Sequence, residues 1–268
     1  MRLKDQLAEI LPAEVLPYVS NHFEVIGDIA VIAVPAELDP WKHAIAQVIV
    51  SRRKNLATVL NKKEKVAGGS RTARYEVLWG VRTTTVHRES GFAYRVDVGR
   101  AFFSTRMVSE RKRVTGQTGP GERVYIPFAG VGPFVIPAAA RGAEVYAMEN
   151  NPDAFRYLLK NADLNHVTAH CHLLQGDAFD TAPFTGNVFD RLIIPTPYGM
   201  DNALGVLLPL LSRGGMVHFY TFKAKEQIPG LIAAFKEKGL TVTYSSPCGN
   251  VAPGISRWVF DMTRTPRH

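Results

Sequence analysis

The chain has 268 residues, 46% of them hydrophobic and 21% charged, and a formal net charge of +8. That is enough apolar material for one substantial core, or one core and a smaller domain, and no run approaches the eighteen or so apolar residues of a membrane span. The two cysteines, Cys171 and Cys248, form neither a disulfide framework nor a metal-ligand spacing, and the charged start "MRLKDQLAEI" does not read as a signal peptide, so a reducing, cytoplasmic location is the default.

Up to about residue 95 the pattern is one of short strands mixed with helix. "FEVIGDIAVIAVP", residues 23–35, predicts two strands joined at Gly27-Asp28, a hairpin signal. Pro40 opens a helical stretch, "WKHAIAQVIVSRRKN", with apolar residues at Trp41, Ala44, Ile45, Val48 and Ile49. Further strands are expected at "RYEVLWG", "TTTVHRE" and "FAYRVDV", punctuated by Gly80 and Gly91. A small α+β domain over residues 1–95 is the expected product.

Between Ser51 and Arg113, sixteen Lys and Arg stand against five Asp and Glu, which leaves the rest of the chain slightly acidic. Such a segment suits a polyanion, most commonly nucleic acid, and composition alone suits a solvated surface equally well. Arg52, Arg53 and Lys54, with Lys62, Lys63 and Lys65, are the candidates for phosphate contact.

"TGQTGPGERV", residues 115–124, carries the Gly/Pro punctuation of a connection, and a linker is expected near 115–122. Beyond it, strands at "RVYIPF", "EVYAME", "HCHLLQGD", "DRLIIPT" and "GMVHFYTF" alternate with helices such as "PDAFRYLLKNADL" and "DNALGVLLPLLSRG". That alternation predicts a parallel sheet covered on both faces, with residues 96–268 forming an α/β domain. "LTVTYSS" and "SRWVFDM" follow without a helix between them and suit an antiparallel edge pair.

The turn after the first of these strands reads "FAGVGPF", with Gly130 and Gly132 two residues apart. A Gly-x-Gly turn there lets a ligand approach the backbone, and the helix that follows favours electron-rich groups. Glu149 ends the next strand, where a carboxylate can take two ribose hydroxyls, and Asp177 ends the third, where it can accept from an adenine amino group. A dinucleotide would want a third glycine where Val135 stands, so S-adenosylmethionine, which has no pyrophosphate, is the preferred ligand. Phe128, Asn150, Ala178 and Pro195 complete the expected cofactor site. His166, His170 and His172 lack carboxylate or Cys partners at tetrahedral spacing, and no metal is expected.

"VGRAFFSTRMVSERKRV" followed by "FAGVGPF" resembles the archaeal and eukaryotic tRNA guanine-N1 methyltransferases, which modify the guanosine 3′ of the anticodon, position 37. "FEVIGDIAVIAVP", "GGSRTARYEVLWG", "HRESGFAYRVDVG" and "GGMVHFYTF" extend the resemblance over nearly the whole chain. Less closely, the chain is similar to the aminocarboxypropyl transferase of wybutosine synthesis, which usually has "GIGH" at the glycine turn and lacks an arginine corresponding to Arg106. The resemblance implies a class I, Rossmann-like S-adenosylmethionine methyltransferase domain behind a small N-terminal α+β domain that helps hold the anticodon stem-loop of tRNA. It makes Glu110 the general base on guanine N1, with Arg106 and Arg71 as the accompanying arginines. The N1 proton is not acidic at neutral pH, so a carboxylate must take it as the methyl group arrives, and an arginine near O6 would stabilise the developing charge. Taken alone, Glu110 reads as a helix-surface ion pair with Arg106 or Arg113. The chain is read as starting at the small domain, without the further N-terminal domain of many relatives, and no membrane or obligate protein partner is inferred.

Two positions depart from the family pattern. Ile126 stands where its first strand usually has aspartate, and Pro195 where its "NLP" motif has the asparagine that contacts the target base. Thr196 or backbone carbonyls are the candidate replacements, and Tyr198 is a candidate to stack on an extruded base. Three readings result: a tRNA guanine-N1 methyltransferase, a related S-adenosylmethionine-dependent transferase (aminocarboxypropyl transfer, or methylation of another acceptor), and a non-catalytic RNA-binding homologue.

Overall fold

A computed structural model describes residues 3–63, 74–184, 186 and 188–266, which divide into two units, Met1–Thr105 and Arg106–His268. In the first unit α1 (Leu3–Leu7) precedes the hairpin of β1 (Glu24–Ile26) and β2 (Ile29–Ile32), which turns at Gly27-Asp28. Gly27 has φ +57°, and a Cβ on it would meet Thr85 Oγ1 at 2.2 Å, so both backbone and space demand glycine. A 3-10 turn over Ala36–Trp41 contains Pro40 and leads into α2 (Lys42–Arg52), which buries Ile45, Ala46 and Ile49. Next, β3 (Thr58–Lys62) lies parallel to β2 and antiparallel to β4 (Tyr75–Trp79), giving a sheet in the order β1-β2-β3-β4. β5 (Thr84–Glu89) and β6 (Phe92–Asp97) form a separate hairpin through Ser90-Gly91, both at positive φ. Leu7, Ala30, Ile45, Ile49, Val59 and Leu78 belong to the core of this unit.

The boundary falls at Thr105/Arg106 rather than at 95/96. Residues 98–105 are tied back to the first unit: Val98 N–H donates to Thr83 O at 2.9 Å, and Thr105 N–H to Glu24 Oε1 at 2.7 Å. Residues 115–122 form a turn inside the second unit instead of a linker. Arg141 Nε donates to Thr118 O at 2.9 Å and Gly121 N–H to Gly142 O at 2.8 Å.

The second unit begins with α3 (Val108–Thr115), then β7 (Arg123–Pro127), α4 (Val135–Ala139), β8 (Glu144–Glu149), α5 (Pro152–Leu164), β9 (Cys171–Gln175) and β10 (Phe189–Ile194). It ends with α6 (Ala203–Leu207), β11 (Leu211–Lys223), α7 (Ile228–Glu237), β12 (Leu240–Ala252) and β13 (Ile255–Arg264). One seven-stranded sheet results, in the order β12-β13-β11-β10-β7-β8-β9. β11, β10, β7, β8 and β9 are mutually parallel, as their apolar, helix-separated runs require, whereas β13 is antiparallel and sits between β11 and β12. This is a doubly wound, Rossmann-like α/β sheet with an antiparallel insertion. "LTVTYSS" and "SRWVFDM" do pair antiparallel, but only the first takes the edge; the second has partners on both sides.

Local chemistry fixes α5, the helix that packs on the glycine turn. Asn151 caps α5, its Oδ1 accepting from Asp153 N–H at 2.9 Å, and Pro152 fills the first helical position, where no N–H is missed. The helix turns Ala154, Leu158, Asn161 and Ala162 inward. Tyr125, Phe189, Leu192, Phe219 and Phe260 lie in the core of the unit.

Candidate functional site

Because β7, β8, β9 and β10 are parallel, Phe128, Glu149, Asp177 and Pro195 all fall at C-terminal strand ends, along one edge of the sheet. After β7 the backbone reverses with Phe128, Gly130 and Gly132 at φ +55°, +58° and +97°. The two glycines do different work. A Cβ on Gly132 would strike Leu158 Cδ1 at 2.8 Å, so this glycine lets α5 pack against the turn. A Cβ on Gly130 would meet nothing within 4 Å, so its backbone borders open space at the sheet edge.

Glu149 stitches this turn to the end of β8. Its Oε2 accepts the Gly130 N–H at 2.7 Å and its Oε1 the Asn151 N–H at 2.8 Å. Asn161, fully buried on α5, donates from Nδ2 to Val131 O at 2.8 Å. Each carboxylate oxygen has two lone pairs, so these backbone bonds orient Glu149 and leave it able to accept from hydroxyl groups. Asp177 is exposed and accepts the Phe179 N–H at 3.0 Å, while Ala178 is buried and Asn150 exposed. The Phe128 and Phe179 rings meet edge to face at 5.9 Å. An oriented carboxylate, a bare glycine backbone and apolar rings fit a nucleoside-bearing cofactor.

The second cluster is built on α3. Glu110 is nearly buried, its side chain 12% exposed, and faces β11 and β13. Its Oε1 accepts from Arg113 Nη2 at 2.5 Å, from Arg113 Nε at 3.0 Å and from the Tyr220 hydroxyl at 3.1 Å. Oε2 accepts only a longer bond from Arg113 Nε, at 3.2 Å, among the described contacts. Burial, and then the neighbouring Glu110, hold the Tyr220 hydroxyl well above its ordinary pKa, so it remains a donor. Tyr220 also packs on Phe134, centroids 5.7 Å apart, which links Glu110 to the residue that caps α4 directly after the glycine turn. Cys248 lies nearby; burial pushes its thiol up to about 12, so it adds no charge.

The other candidates are distributed as follows. Arg106 is exposed just before α3, and Arg71 lies outside the described residues. Pro195 directly follows β10, in a bend closed by Thr196, whose N–H donates to Ile194 O at 2.8 Å. Tyr198 is 68% exposed and meets Phe222 edge to face at 5.2 Å, with the Arg257 guanidinium 5.0 Å from the Phe222 centroid. Ile126, at the family aspartate position, is fully buried in the sheet, where an apolar residue suits its surroundings. In the first unit Arg52, Arg53 and Lys54 are exposed at the C-terminal end of α2. His170 and His172 flank Glu144, with Nδ1 and Nε2 at 2.8 and 3.4 Å from its carboxylate.

Sequence reasoning did not single out Tyr220, Asp261, Asn161 or Arg257. Tyr220 and Asp261 sit in largely apolar strand patterns, "VHFYTF" and "WVFDM", where the tyrosine reads as core and the aspartate is a polar residue out of place. Asn161 is one apolar-face position of α5 occupied by an amide, a signal readable at helical spacing.

Comparison with known proteins places the chain in a family. The profile described as TRM5/TYW2 methyltransferase domain matches residues 85–239, and that described as TYW2 N-terminal domain matches residues 3–83. The chain is similar to the tRNA (guanine(37)-N(1))-methyltransferase Trm5b of Pyrococcus abyssi, 35% identical over 79% of this chain but only 63% of that one. It is also similar to the tRNA(Phe) (4-demethylwyosine(37)-C(7)) aminocarboxypropyltransferase of Pyrococcus horikoshii, 31% identical over 85% of this chain and 81% of that one. Among solved structures, P. horikoshii TYW2 in complex with MeSAdo superposes with a TM-score of 0.80 at 28% identity, over 97% of both chains.

Proposed function

The chain belongs to the TRM5/TYW2 methyltransferase family, and we propose that it methylates N1 of guanosine 37 in tRNA with S-adenosylmethionine as donor. The observation that carries this reading is Glu110: a nearly buried carboxylate with Oε1 engaged by Arg113 and Tyr220 and Oε2 only lightly held. Transfer to a ring nitrogen that still bears a proton needs such a base. The N1–H proton passes to Glu110 Oε2 as the new bond at N1 forms, and Arg106 supports the charge that develops at O6. Glu149 would hold the ribose hydroxyls of the cofactor, the Gly130 backbone and Phe128 its nucleoside, and Asp177 with Ala178 its adenine. The bound cofactor supplies an electrophilic methyl group. Tyr198 offers a stacking surface to the target base, and Arg52, Arg53 and Lys54 offer charge to the phosphates of the anticodon stem-loop.

A second reading, aminocarboxypropyl transfer, is favoured by one observation: the profile that matches the first unit is that of a TYW2 N-terminal domain. Mass spectrometry of nucleosides from tRNA incubated with protein and S-adenosylmethionine separates the two, since the added groups differ in mass. 1-Methylguanosine supports the proposal; an aminocarboxypropyl adduct replaces it with the second reading; no adduct on any tRNA, despite cofactor binding, removes both.

A further inference from the structure

Arg113 is shared between two carboxylates. Its Nε and Nη2 engage Glu110, while Nη1 and Nη2 engage Asp261 on β13 at 2.5 and 3.0 Å. Its guanidinium also lies over the Tyr244 ring, 4.5 Å from the centroid. Asp261 is itself held: His218 Nδ1 lies 2.7 Å from its Oδ1. His218 is fully buried, and its Nε2 lies 2.6 Å from Arg191 Nη1. A guanidinium only donates, so Nε2 must accept, Nδ1 carries the proton and His218 is neutral. Arg191 in turn donates to Glu122 Oε1 at 2.7 Å and to Gln117 O at 3.0 Å.

The chain of contacts runs Glu122, Arg191, His218, Asp261, Arg113, Glu110. It holds three carboxylates, two guanidiniums and a neutral imidazole, so one negative charge is in excess, and Glu122 and Glu110 are its two ends. We propose that Asp261, buttressed by His218, is a positioning residue for Glu110: by taking half of Arg113 it fixes Oε1 and leaves the lightly held Oε2 to take the substrate proton. This rests on the reading of Glu110 as the base. Two features argue for it over a structural ion pair. Arg113 alone beside Glu110 would direct its whole charge onto the carboxylate that must gain a proton; shared with Asp261, it does so only in part. The fork geometry also matters, because a planar guanidinium holds two carboxylates through paired N–H bonds in fixed register, which a lysine ammonium, a point charge on a flexible stem, does not reproduce.

The experiment is a set of single-turnover reactions on the full chain, with separate measurements of cofactor and tRNA dissociation constants, for Asp261→Asn, Arg113→Lys, Glu110→Gln and the double variant Asp261→Asn with Glu110→Gln. Asp261→Asn should slow the chemical step roughly 10- to 100-fold, the scale on which misplacing a reacting group costs rate, with both dissociation constants unchanged. In the Glu110→Gln background it should cost nothing further, since it acts through that carboxylate. Wild-type chemistry in Asp261→Asn, or a loss that multiplies with that of Glu110→Gln, would overturn the proposal. If thermal unfolding shows that Asp261→Asn does not fold, Arg113→Lys decides: it keeps both charge and Asp261 but loses the bridge, and unimpaired chemistry in it overturns the proposal equally. Wild-type chemistry in Glu110→Gln would overturn the base assignment itself, and is read independently of the other variants.

Discussion

Glu149 Oε2 accepts the Gly130 N–H at 2.7 Å across the glycine turn, so the carboxylate that would hold the cofactor ribose also holds the backbone beside it. Glu149→Ala removes both roles. Calorimetry should show S-adenosylmethionine binding weakened by about 1–3 kcal/mol, the cost of leaving buried hydroxyls unpaired, and the melting temperature should fall as well. Unchanged affinity would take Glu149 out of the site.

The two glycines separate stability from binding. Gly132→Ala forces a methyl against Leu158 Cδ1 at a backbone angle of +97°, and should destabilise the second unit by about 1–3 kcal/mol. Gly130→Ala meets open space at φ +58°, so it should fold with a smaller loss, about 1 kcal/mol, but intrude on the bound cofactor. Thermal melts and calorimetry on the pair should therefore rank them in opposite orders.

Glu110→Gln keeps shape and can still accept from Tyr220 and Arg113, but cannot take a proton. Turnover should drop roughly 10²–10⁴-fold at unchanged cofactor affinity. Full single-turnover activity in this variant would move the assignment to a transferase with no base at this position.

Of the basic residues between 51 and 113, several are already neutralised within the protein: Lys63 pairs with Asp39 and Glu76, Arg82 with Asp28, Arg100 with Asp97, and Arg113 with Glu110 and Asp261. Arg52, Arg53 and Lys54 are exposed and better placed for phosphate. Replacing all three by alanine should weaken tRNA binding and reduce the slope of log K against log salt by about 2 to 3, at roughly 0.7–0.9 per contact. An unchanged slope would exclude this end of α2 from the RNA.

The first unit carries an acid-sensitive pairing. Lys42 Nζ and Lys63 Nζ lie 2.8 and 3.0 Å from the Glu76 carboxylate, and their hydrogen bonds lower its pKa from the ordinary 4.5 to about 2. The folded value is the depressed one, so the pairing stabilises the fold fully above pH 4.5 and is lost as pH falls toward 2. Glu76→Gln should melt lower than the parent near neutral pH, and the difference should shrink across that acid window. A pH-independent difference would show that packing, not charge, is at stake.

Periodicity and turn chemistry carried much of this fold. Gly27-Asp28, Gly91, the Pro152–Leu164 helix and strands β7 to β10 lie where local pattern predicts them, whereas β11 begins at Leu211, inside the stretch expected to be helical. β3 was not anticipated: "TVLNK" runs straight into lysines, and its place beside β2 is set by a parallel pairing that no local signal encodes. The compact units divide ten residues beyond the expected 95/96 for a similar reason, since residues 98–105 are held by bonds to Thr83 and Glu24. The placement of Gly130, Glu149 and Asp177 along one edge of the sheet was legible from the strand pattern. Tyr220 and Asp261 were not, because their partners on α3, Glu110 and Arg113, lie more than a hundred residues away and only the sheet order brings them together.

That sheet order also sets a timetable for the growing chain. β13 lies between β11 and β12, so until residues 255–264 have emerged from the ribosome β12 has no neighbour in the sheet and β11 presents a bare inner edge. The glycine turn and its carboxylate, encoded more than a hundred residues earlier, can assemble well before this. Asp261 arrives only with the last strand inserted, so a nascent chain whose glycine turn has formed would still lack the carboxylate that shares Arg113 with Glu110.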